Sequence, residues 1–303
     1  MVYNLFMEYS FPRYLMSKQS VDERALNRQV YERLAASLPG GKLRIIEVGA
    51  GIGTMLARLL RWGLFTQAEY VLVDEMQENI MHAEGWLRDW AAENGMHTSI
   101  PMPGTLHMAD ATRELTITLV QADVFDYIKT NPEPADLLIA HAFLDLLPMP
   151  ASLTGLFSLL RLGGLAWLTI NFDGVTTLEP VIEPALDLKI EQLYHRSMDT
   201  RPSGGDSQAG RHLFTHLARF GVQIMAAGSS DWVVHAIDGH YPVDEAYFLH
   251  FILHFFELSL SDQAELDRQT LLDWLDKRRA QVERGELVYI AHQMDFLVKL
   301  PRD

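Results

Sequence analysis

Residues 43–54 read LRIIEVGAGIGT. The first six form an apolar run typical of a buried strand, and glycines stand at 49, 51 and 53 directly after it. Because glycine has no Cβ and adopts positive φ readily, such a loop lets the backbone approach a ligand between a strand and the next helix. The stretch predicts the strand–turn–helix corner at which α/β proteins bind nucleotides. A tight turn without a ligand is the simpler alternative.

The spacing of the glycines separates two kinds of ligand. A dinucleotide corner has the pattern G-x-G-x-x-G, which seats a pyrophosphate on the helix N-terminus. This chain has G-x-G-x-G, with Thr54 at the place of the third glycine. Glu47 lies two residues before the first glycine, and a carboxylate there suits a cationic ligand better than a pyrophosphate. The pattern therefore favours a cationic ligand over a dinucleotide.

Strands and helices alternate around this corner. Apolar runs predict further strands at 70–73, 115–121, 135–140 and 165–171. Helices are expected between them, and an earlier helix over 20–36 opens with Ser20 and Glu23 at capping-box spacing. The stretch 96–114 contains prolines and a glycine and is expected to be a loop. This alternation predicts an α/β fold with a mostly parallel, doubly wound sheet and helices on both faces.

The second half of the chain departs from that alternation. It is expected to hold the last two strands, at 222–236 and 287–300, with helical insertions at 174–208 and 243–285. Both insertions leave the carboxyl edge of the sheet, where ligands of such folds bind, and would roof a pocket there. We expect one compact unit in three parts: an N-terminal helical cap (1–40), a ligand-binding α/β core (41–173) and the remainder of the sheet with its insertions (174–303).

Acidic or polar residues stand at the ends of the predicted strands. After the glycine loop they are Asp74 in VLVDEM, Asp123 in VQADVFDY, and Asp136 and His141 in ADLLIAHAF. Together with EVGAGIG, and in the same order, these segments resemble the motifs of the class I S-adenosylmethionine-dependent methyltransferases. The resemblance covers residues 43–173, about half of the chain.

The resemblance implies a Rossmann-like methyltransferase fold with a seven-stranded sheet and helical additions. It implies S-adenosyl-L-methionine as cofactor, with S-adenosyl-L-homocysteine as product, and assigns Asp74 to the ribose hydroxyls and Asp123 to the adenine amine. His141 would lie beside the methyl group and is the catalytic candidate, with a general-base role as one alternative. Helix N-capping is the simpler role for Asp74 and Asp123. The cofactor-binding residues implied by the motifs are Glu47, Gly49, Ala50, Gly51, Gly53, Asp74, Glu75, Met76, Asp123, Val124 and His141.

Composition excludes several classes of function. The 303 residues include 25 Lys and Arg against 40 Asp and Glu, and this formal charge of −15 repels nucleic acids and anionic membranes. The chain has no cysteine, which excludes disulfides, thiolate zinc sites and cysteine nucleophiles. No apolar run approaches a membrane span, and residues 1–14 lack a signal-peptide pattern, so we expect a cytoplasmic protein. His250 and His254 stand among aromatic residues and are expected in the core or a pocket, so no metal is expected.

The sequence leads to the hypothesis of methyl transfer to an O or N atom of a small, partly apolar metabolite. A sulfonium methyl is already activated, so the enzyme needs chiefly to align the acceptor and exclude water. Aromatic residues of the insertions, such as Tyr194 and Phe251, belong either to the core or to an apolar acceptor pocket. The N-terminal segment and the helices at 243–285 are expected to close over both ligands, or else to be static scaffold.

Three other functions stay open at this point. A protein of this fold could bind the cofactor without transferring a methyl group, because fold alone does not fix chemistry. An NAD-dependent oxidoreductase is disfavoured by Thr54. An aminopropyl transferase would need substrate carboxylates that are not evident after the fourth predicted strand. A homodimer is also left open, and the methyl acceptor is the expected small-molecule partner.

Overall fold

The protein is built on one sheet with a parallel middle and antiparallel flanks. The computed structural model describes residues 9–301. Within these residues the strands are β1 (Leu43–Val48), β2 (Gln67–Asp74), β3 (His97–Met102), β4 (Thr105–Ala109), β5 (Glu114–Gln121), β6 (Ala135–His141), β7 (Leu160–Glu179), β8 (Gln223–Ser229), β9 (Trp232–Val234) and β10 (Val288–Lys299). They run in the order β3-β4-β5-β2-β1-β6-β7-β10-β8, and β9 pairs with β10.

The five central strands, β5, β2, β1, β6 and β7, are mutually parallel. β10 runs antiparallel to both β7 and β8 at one side, and the β3–β4 hairpin joins β5 antiparallel at the other. The predicted α/β fold with a mostly parallel, doubly wound sheet is confirmed. The sheet has ten strands rather than seven, because the hairpin and β9 add three.

Helices cover both faces of the sheet, as predicted. They are α1 (Phe11–Ser17), α2 (Gln19–Ala25), α3 (Arg28–Ala35), α4 (Thr54–Arg61), α5 (Gln77–Glu93), α6 (Val124–Lys129), α7 (Ala151–Ser158), α8 (Pro184–Asp199), α9 (Ala209–Arg219), α10 (Glu245–Leu260) and α11 (Arg268–Glu283), with a 3₁₀ turn at Leu144–Leu146. One apolar core contains side chains of α3, α4, α5, α10 and α11, and a second contains side chains of α6, α7 and α9. The sheet separates these two cores.

The stretch 96–114 is a β-hairpin, so the predicted loop is wrong. Leu106 and Met108 of β4 are fully buried and alternate with more exposed neighbours, which is the period of a half-buried strand. The prolines that favoured a loop lie where a strand tolerates them. Pro101 is in β3 at the sheet edge, within a register shift, and Pro103 lies in the turn.

The single helix predicted over 20–36 is also wrong, because the chain bends at Asn27. The Asn27 side chain caps α3 by accepting a hydrogen bond from the Val30 N–H at 3.1 Å. Its own N–H donates to a carboxylate oxygen of Asp295 in β10, at 2.8 Å. A tertiary partner and a local cap therefore end α2 and begin α3 at this point.

The division into three parts stays a prediction, although its boundary at residue 173 meets a continuous strand. β7 continues through residues 173 and 174 to Glu179, and Leu178 pairs with Tyr289 of β10. The predicted boundary therefore falls inside a strand. Residues 1–8 of the predicted N-terminal cap lie outside the described part of the chain.

The N-terminal helices are fastened to α10. Arg24 of α2 binds both carboxylate oxygens of the fully buried Glu245, at 2.6 and 2.9 Å. The Ser20 hydroxyl donates to the same carboxylate at 2.6 Å. In α1, Arg13 pairs with Asp244 at 3.1 Å. Helices α1, α2 and α10 therefore form one unit above the sheet.

Candidate functional site

The glycine loop lies between β1 and α4, at the carboxyl end of the parallel strands. β1 is flanked by β2, which follows it in the chain, and by β6, which the chain reaches after β5 by crossing to the other side of β1. Ligands of open α/β sheets bind where the strand order changes direction in this way. Gly49, Gly51 and Gly53 all have positive φ, of 62°, 56° and 83°. A Cβ on Gly51 would lie 2.7 Å from Leu15 Cδ1 of α1, so the loop and the N-terminal helix approach closely.

Asp74, the last residue of β2, is buried and fastens this loop. Its Oδ2 accepts a hydrogen bond from the Gly51 N–H at 2.8 Å. Its Oδ1 accepts from the Met76 N–H at 3.0 Å and from Asn79 Nδ2 at 2.9 Å. A carboxylate has about four acceptor positions, so three are filled by the protein. Asn79 was not found from the sequence, and its own Oδ1 is buried with no partner among the described residues.

Glu47 is buried in β1, and its carboxyl accepts a hydrogen bond from the Tyr70 hydroxyl at 2.6 Å. Burial raises the pKa of Glu47 to about 8, although Tyr70 and Arg58 both act to lower it. From its place in the sequence, Glu47 is expected to be an ionised carboxylate. In the structure this carboxyl is mostly protonated at neutral pH, because Tyr70 and Arg58 offset only part of the loss of solvation.

Asp123 follows β5 and caps α6. Its Oδ1 accepts from the N–H groups of Phe125 and Asp126, at 2.8 and 3.2 Å, so the simpler role weighed for Asp123 is present. The same residue faces the cavity described below, together with its neighbour Val124. Capping uses one carboxylate oxygen, which leaves Oδ2 for a ligand.

His141 ends β6, and both of its ring nitrogens are hydrogen-bonded. Nδ1 lies 2.8 Å from Thr169 Oγ1, and Nε2 lies 2.9 Å from Asp22 Oδ2. Burial lowers the pKa of His141 to about 4, so the ring is neutral, donates through Nε2 to Asp22 and accepts at Nδ1. No ring nitrogen is left to take a proton. This arrangement favours a positioning role and speaks against the general-base role predicted as an alternative.

Asp22 of α2 is the centre of a buried polar network that sequence reasoning missed. Besides His141, its carboxylate accepts from Trp232 Nε1 at 2.9 Å and lies 3.4 Å from Lys18 Nζ. Burial alone would raise the pKa of Asp22, but Lys18, His141 and Arg58 hold it below its usual value. The partners come from α4, β6 and β9, far apart in sequence. Only the spacing of Lys18 and Asp22, at i and i+4, was visible beforehand.

A cavity of about 600 Å³ opens at this edge of the sheet, within the size range of small-molecule sites. One half, which we call the glycine-loop half, is lined by every predicted cofactor residue except Gly53. Gly53 instead packs near Leu72 and Leu87. The residues of the glycine-loop half are Lys18, Glu47, Gly49, Ala50, Gly51, Asp74, Glu75, Met76, Asn79, Asp123, Val124 and His141.

The other half of the same cavity, the aromatic half, is assembled from distant segments. Its charged and amide side chains are Asp145, Arg201 and Gln293, and the hydroxyl residues Thr176, Ser203 and Ser259 also line the cavity. Of the aromatic residues weighed in the sequence, Tyr194 and Phe255 line it, whereas Tyr247, Phe248 and Phe251 are buried in the core. The rings that line the aromatic half are Tyr14, Phe172, Tyr194, Trp232, Phe255 and Tyr289.

The segments predicted to roof the cavity do so in part. Helix α1 contributes Phe11, Tyr14 and Leu15, and α10 contributes Ile252 and Phe255. The 174–208 segment also reaches the cavity, whereas no residue of α11 lines it. The roof is therefore α1, α10 and the segment around α8.

Two further predictions concern what the site lacks. Within residues 9–301, no cluster of three or more metal-ligating side chains occurs. His250 binds Glu283 at 2.9 Å, and His254 stacks on Tyr9 with ring centroids 3.9 Å apart. No described helix combines the length and apolar character that crossing a bilayer requires.

No protein-family model and no curated protein matches this chain. Solved structures that it resembles include an S-adenosylmethionine-dependent methyltransferase from Thiobacillus denitrificans in complex with S-adenosyl-L-homocysteine, 14% identical over 96% of this chain and 99% of that one, with a TM-score of 0.47. The cyclopropane synthase MmaA2 from Mycobacterium tuberculosis is 10% identical over 89% of this chain and 84% of that one, with a TM-score of 0.44. YjhP from E. coli is 13% identical over 95% of this chain and 99% of that one, with a TM-score of 0.49. At these values the likeness carries no inference about function, which must come from the site itself.

Proposed function

We propose that this chain is an S-adenosylmethionine-dependent methyltransferase acting on a small molecule in the cytoplasm. One observation carries the proposal. Residues from each of the four motifs and a set of aromatic side chains line a single cavity, so a cofactor and an acceptor would share one enclosure. Enclosure with alignment is what transfer of an activated methyl group needs.

The residues of the glycine-loop half fit the proposed cofactor. Asp74 keeps one acceptor position, and Asn79 has a buried oxygen without a partner, which together would receive the two ribose hydroxyls. Asp123 Oδ2 would receive the adenine amine. Lys18 beside the glycine loop would face the cofactor's carboxylate, and Glu47 its positive charge. A cation next to Glu47 would lower the pKa of that carboxyl and favour its ionised form.

The cofactor supplies an electrophilic methyl group, and the protein's part is to hold and shield the reactants. Asp22 and Thr169 fix the His141 ring at the end of β6, where it lines the cavity. Helices α1 and α10 cover the cavity from one side and exclude water. The aromatic walls orient the acceptor. No proton acceptor is required of His141.

Calorimetric titration with S-adenosyl-L-homocysteine, S-adenosyl-L-methionine and NADH tests the cofactor. We expect the first two to bind with micromolar affinity and NADH not to bind. Tight NADH binding without S-adenosyl-L-homocysteine binding would overturn the proposal in favour of an oxidoreductase. Release of S-adenosyl-L-homocysteine with a panel of small acceptors tests the reaction. Cofactor binding with no transfer to any acceptor would indicate a binding protein of the same fold.

A further inference from the structure

Two residues that line the aromatic half of the cavity each carry an oxygen atom without a hydrogen bond to the described residues. Gln293 of β10 is only 2% exposed, and its Oε1 has no partner among the described residues. Asp145, in the 3₁₀ turn after β6, likewise has a buried Oδ1 without a partner. A buried acceptor left unpaired costs about 1–3 kcal/mol, so two of them in one cavity point to a ligand that supplies donors.

The Asp145 carboxylate also has no protein cation bonded to it. Among residues 9–301, no Lys or Arg nitrogen lies within 4.0 Å of it. Lys18 is instead paired with Asp22 at 3.4 Å, and Arg201, on the loop after α8, stays outside that distance. Burial raises the pKa of Asp145 to about 6, so the group is still ionised above neutral pH. Arg201 and Lys18 act to lower this pKa from beyond bonding distance, so Asp145 is a buried charge without a directly bonded protein cation among the described residues.

The walls around this carboxylate are aromatic. Tyr14, Tyr194 and Tyr289 line the same half, and none of their hydroxyls makes a hydrogen bond to a described residue. Burial raises the pKa of each phenol, so all three remain neutral. Aromatic faces attract cations, and they do so most strongly where water is excluded.

From this juxtaposition we propose that the acceptor is a small amine, bound as its ammonium ion against Asp145 and Gln293 inside the ring of aromatic side chains. For methyl transfer the ammonium group loses one proton to the Asp145 carboxylate. The freed nitrogen lone pair then forms the new C–N bond as the C–S bond of the sulfonium breaks and S-adenosyl-L-homocysteine leaves. The inference deepens the proposed function, on which it rests, by naming the class of acceptor. An alcohol of the same shape could donate to one of the two oxygens but would leave the buried charge without a counter-ion. The chamber therefore favours the amine over its isosteric alcohol.

The test uses three arylalkylamines, benzylamine, phenethylamine and tyramine, each paired with the alcohol of the same skeleton. Calorimetric titration at pH 7.5 is carried out on the full chain, both alone and saturated with S-adenosyl-L-homocysteine. We expect at least one amine to bind ten or more times more tightly than its alcohol. Equal or tighter binding of all the alcohols, or no binding of any amine, overturns the inference.

Variants of Asp145 and Gln293 test whether these two side chains cause the preference for the amine over the alcohol. Asp145→Asn should weaken amine binding at least tenfold and change alcohol binding less than threefold. Asp89→Asn removes the same charge from an exposed position on α5 and should leave amine binding unchanged. Gln293→Met, which keeps an apolar side chain of similar size, provides a second variant and should weaken amine binding severalfold. Unchanged amine affinity in folded Asp145→Asn and Gln293→Met proteins also overturns the inference.

The two proposals fail in different ways. Loss of S-adenosyl-L-homocysteine binding with intact amine binding would refute the proposed cofactor and leave the amine site standing. Tight S-adenosyl-L-homocysteine binding with no preference for amines would refute only the amine site.

Discussion

The two halves of the cavity are built in opposite ways. The glycine-loop half comes mostly from successive strand ends between residues 47 and 141. The carboxyl groups of Glu47, Asp74 and Asp123 are bonded to neighbouring protein groups there, and Asn79 Oδ1 is the exception without a partner among the described residues. The aromatic half is collected from segments as distant as Tyr14 and Gln293, and its Asp145 and Gln293 oxygens stay unbonded. The first half is organised in advance of its ligand. The second half bears an unfavourable free energy that a ligand would remove.

Gly51→Val should produce the largest effect and should disable the glycine-loop half alone. Gly51 has a φ of 56°, and a Cβ there would lie 2.7 Å from Leu15. We expect S-adenosyl-L-homocysteine binding to fall below detection in calorimetry. Gly63→Val is the matched control, because Gly63 has a φ of 68° with open space around it and lies outside the cavity. Both variants carry similar backbone strain, about 1–3 kcal/mol, but only the first should lose binding. Equal affinity in the two variants would contradict the assignment of the loop.

Glu47→Gln should change how stability depends on pH. The folded-state pKa of Glu47 is raised from 4.5 to about 8 by burial. Between these values the unfolded chain loses the proton while the folded protein keeps it, so wild-type stability falls as pH rises. Gln keeps an acceptor for Tyr70 and has no proton to lose. Between pH 5 and pH 8, the free energy of unfolding of the variant should rise relative to that of wild type by on the order of 2–4 kcal/mol.

Urea unfolding at four pH values across this window measures the effect. Glu93→Gln on the exposed surface of α5 is the control and should follow the wild-type profile. A Glu47→Gln profile parallel to that of wild type would show that the carboxyl is ionised in the folded protein.

Asp74→Ala should weaken S-adenosyl-L-homocysteine binding by about 10- to 150-fold, since a hydrogen bond to a charged group is worth about 1.5–3 kcal/mol. The variant removes both the ribose acceptor and the anchor of the Gly51 N–H. Asp110→Ala is a fair control, because Asp110 also accepts from backbone N–H groups, of Thr112 and Arg113, but lies away from the cavity. Calorimetry on folded proteins decides. Unchanged affinity in Asp74→Ala would refute the cofactor assignment.

Gln293→Met should raise the melting temperature of the ligand-free protein by about 2 °C, because it removes a buried oxygen that has no partner. The same variant should leave S-adenosyl-L-homocysteine affinity within twofold of wild type, which would separate the two halves experimentally. Exposed Gln269 provides the control, and its replacement by Met should shift the melting temperature by less than 1 °C. A lower melting temperature for Gln293→Met would show that the amide is already satisfied.

The contrast between the halves also explains what the sequence could predict. The glycine loop, Asp74, Asp123 and His141 each lie at or directly after the end of a strand, so short segments of sequence were enough to identify them. In the structure they line one cavity. Whether they bind as predicted is for the variants above to decide. The α/β alternation was likewise readable, because it depends on local periodicity.

What could not be predicted depends on partners far along the chain. Asp22 carries no local sequence signal of burial, and its contacts with His141 and Trp232 are what make it the centre of a buried network. The break at Asn27 depends on Asp295, 268 residues later. Asp145 and Gln293 are candidates because each has a buried oxygen without a hydrogen bond to the described residues. A sequence does not show which side-chain atoms lack a partner in the folded protein.

The attachment of α1 and α2 to α10 has a consequence for synthesis on the ribosome. Arg24 precedes its partner Glu245 by 221 residues. At about 5–20 residues per second, translation separates the two by roughly 11–44 s. During that interval the strands around the glycine loop can already pair, while Lys18 and Asp22 lack their burial partner Trp232. The nascent chain therefore carries an N-terminal arm that has no attachment point until Trp232 and Glu245 have emerged.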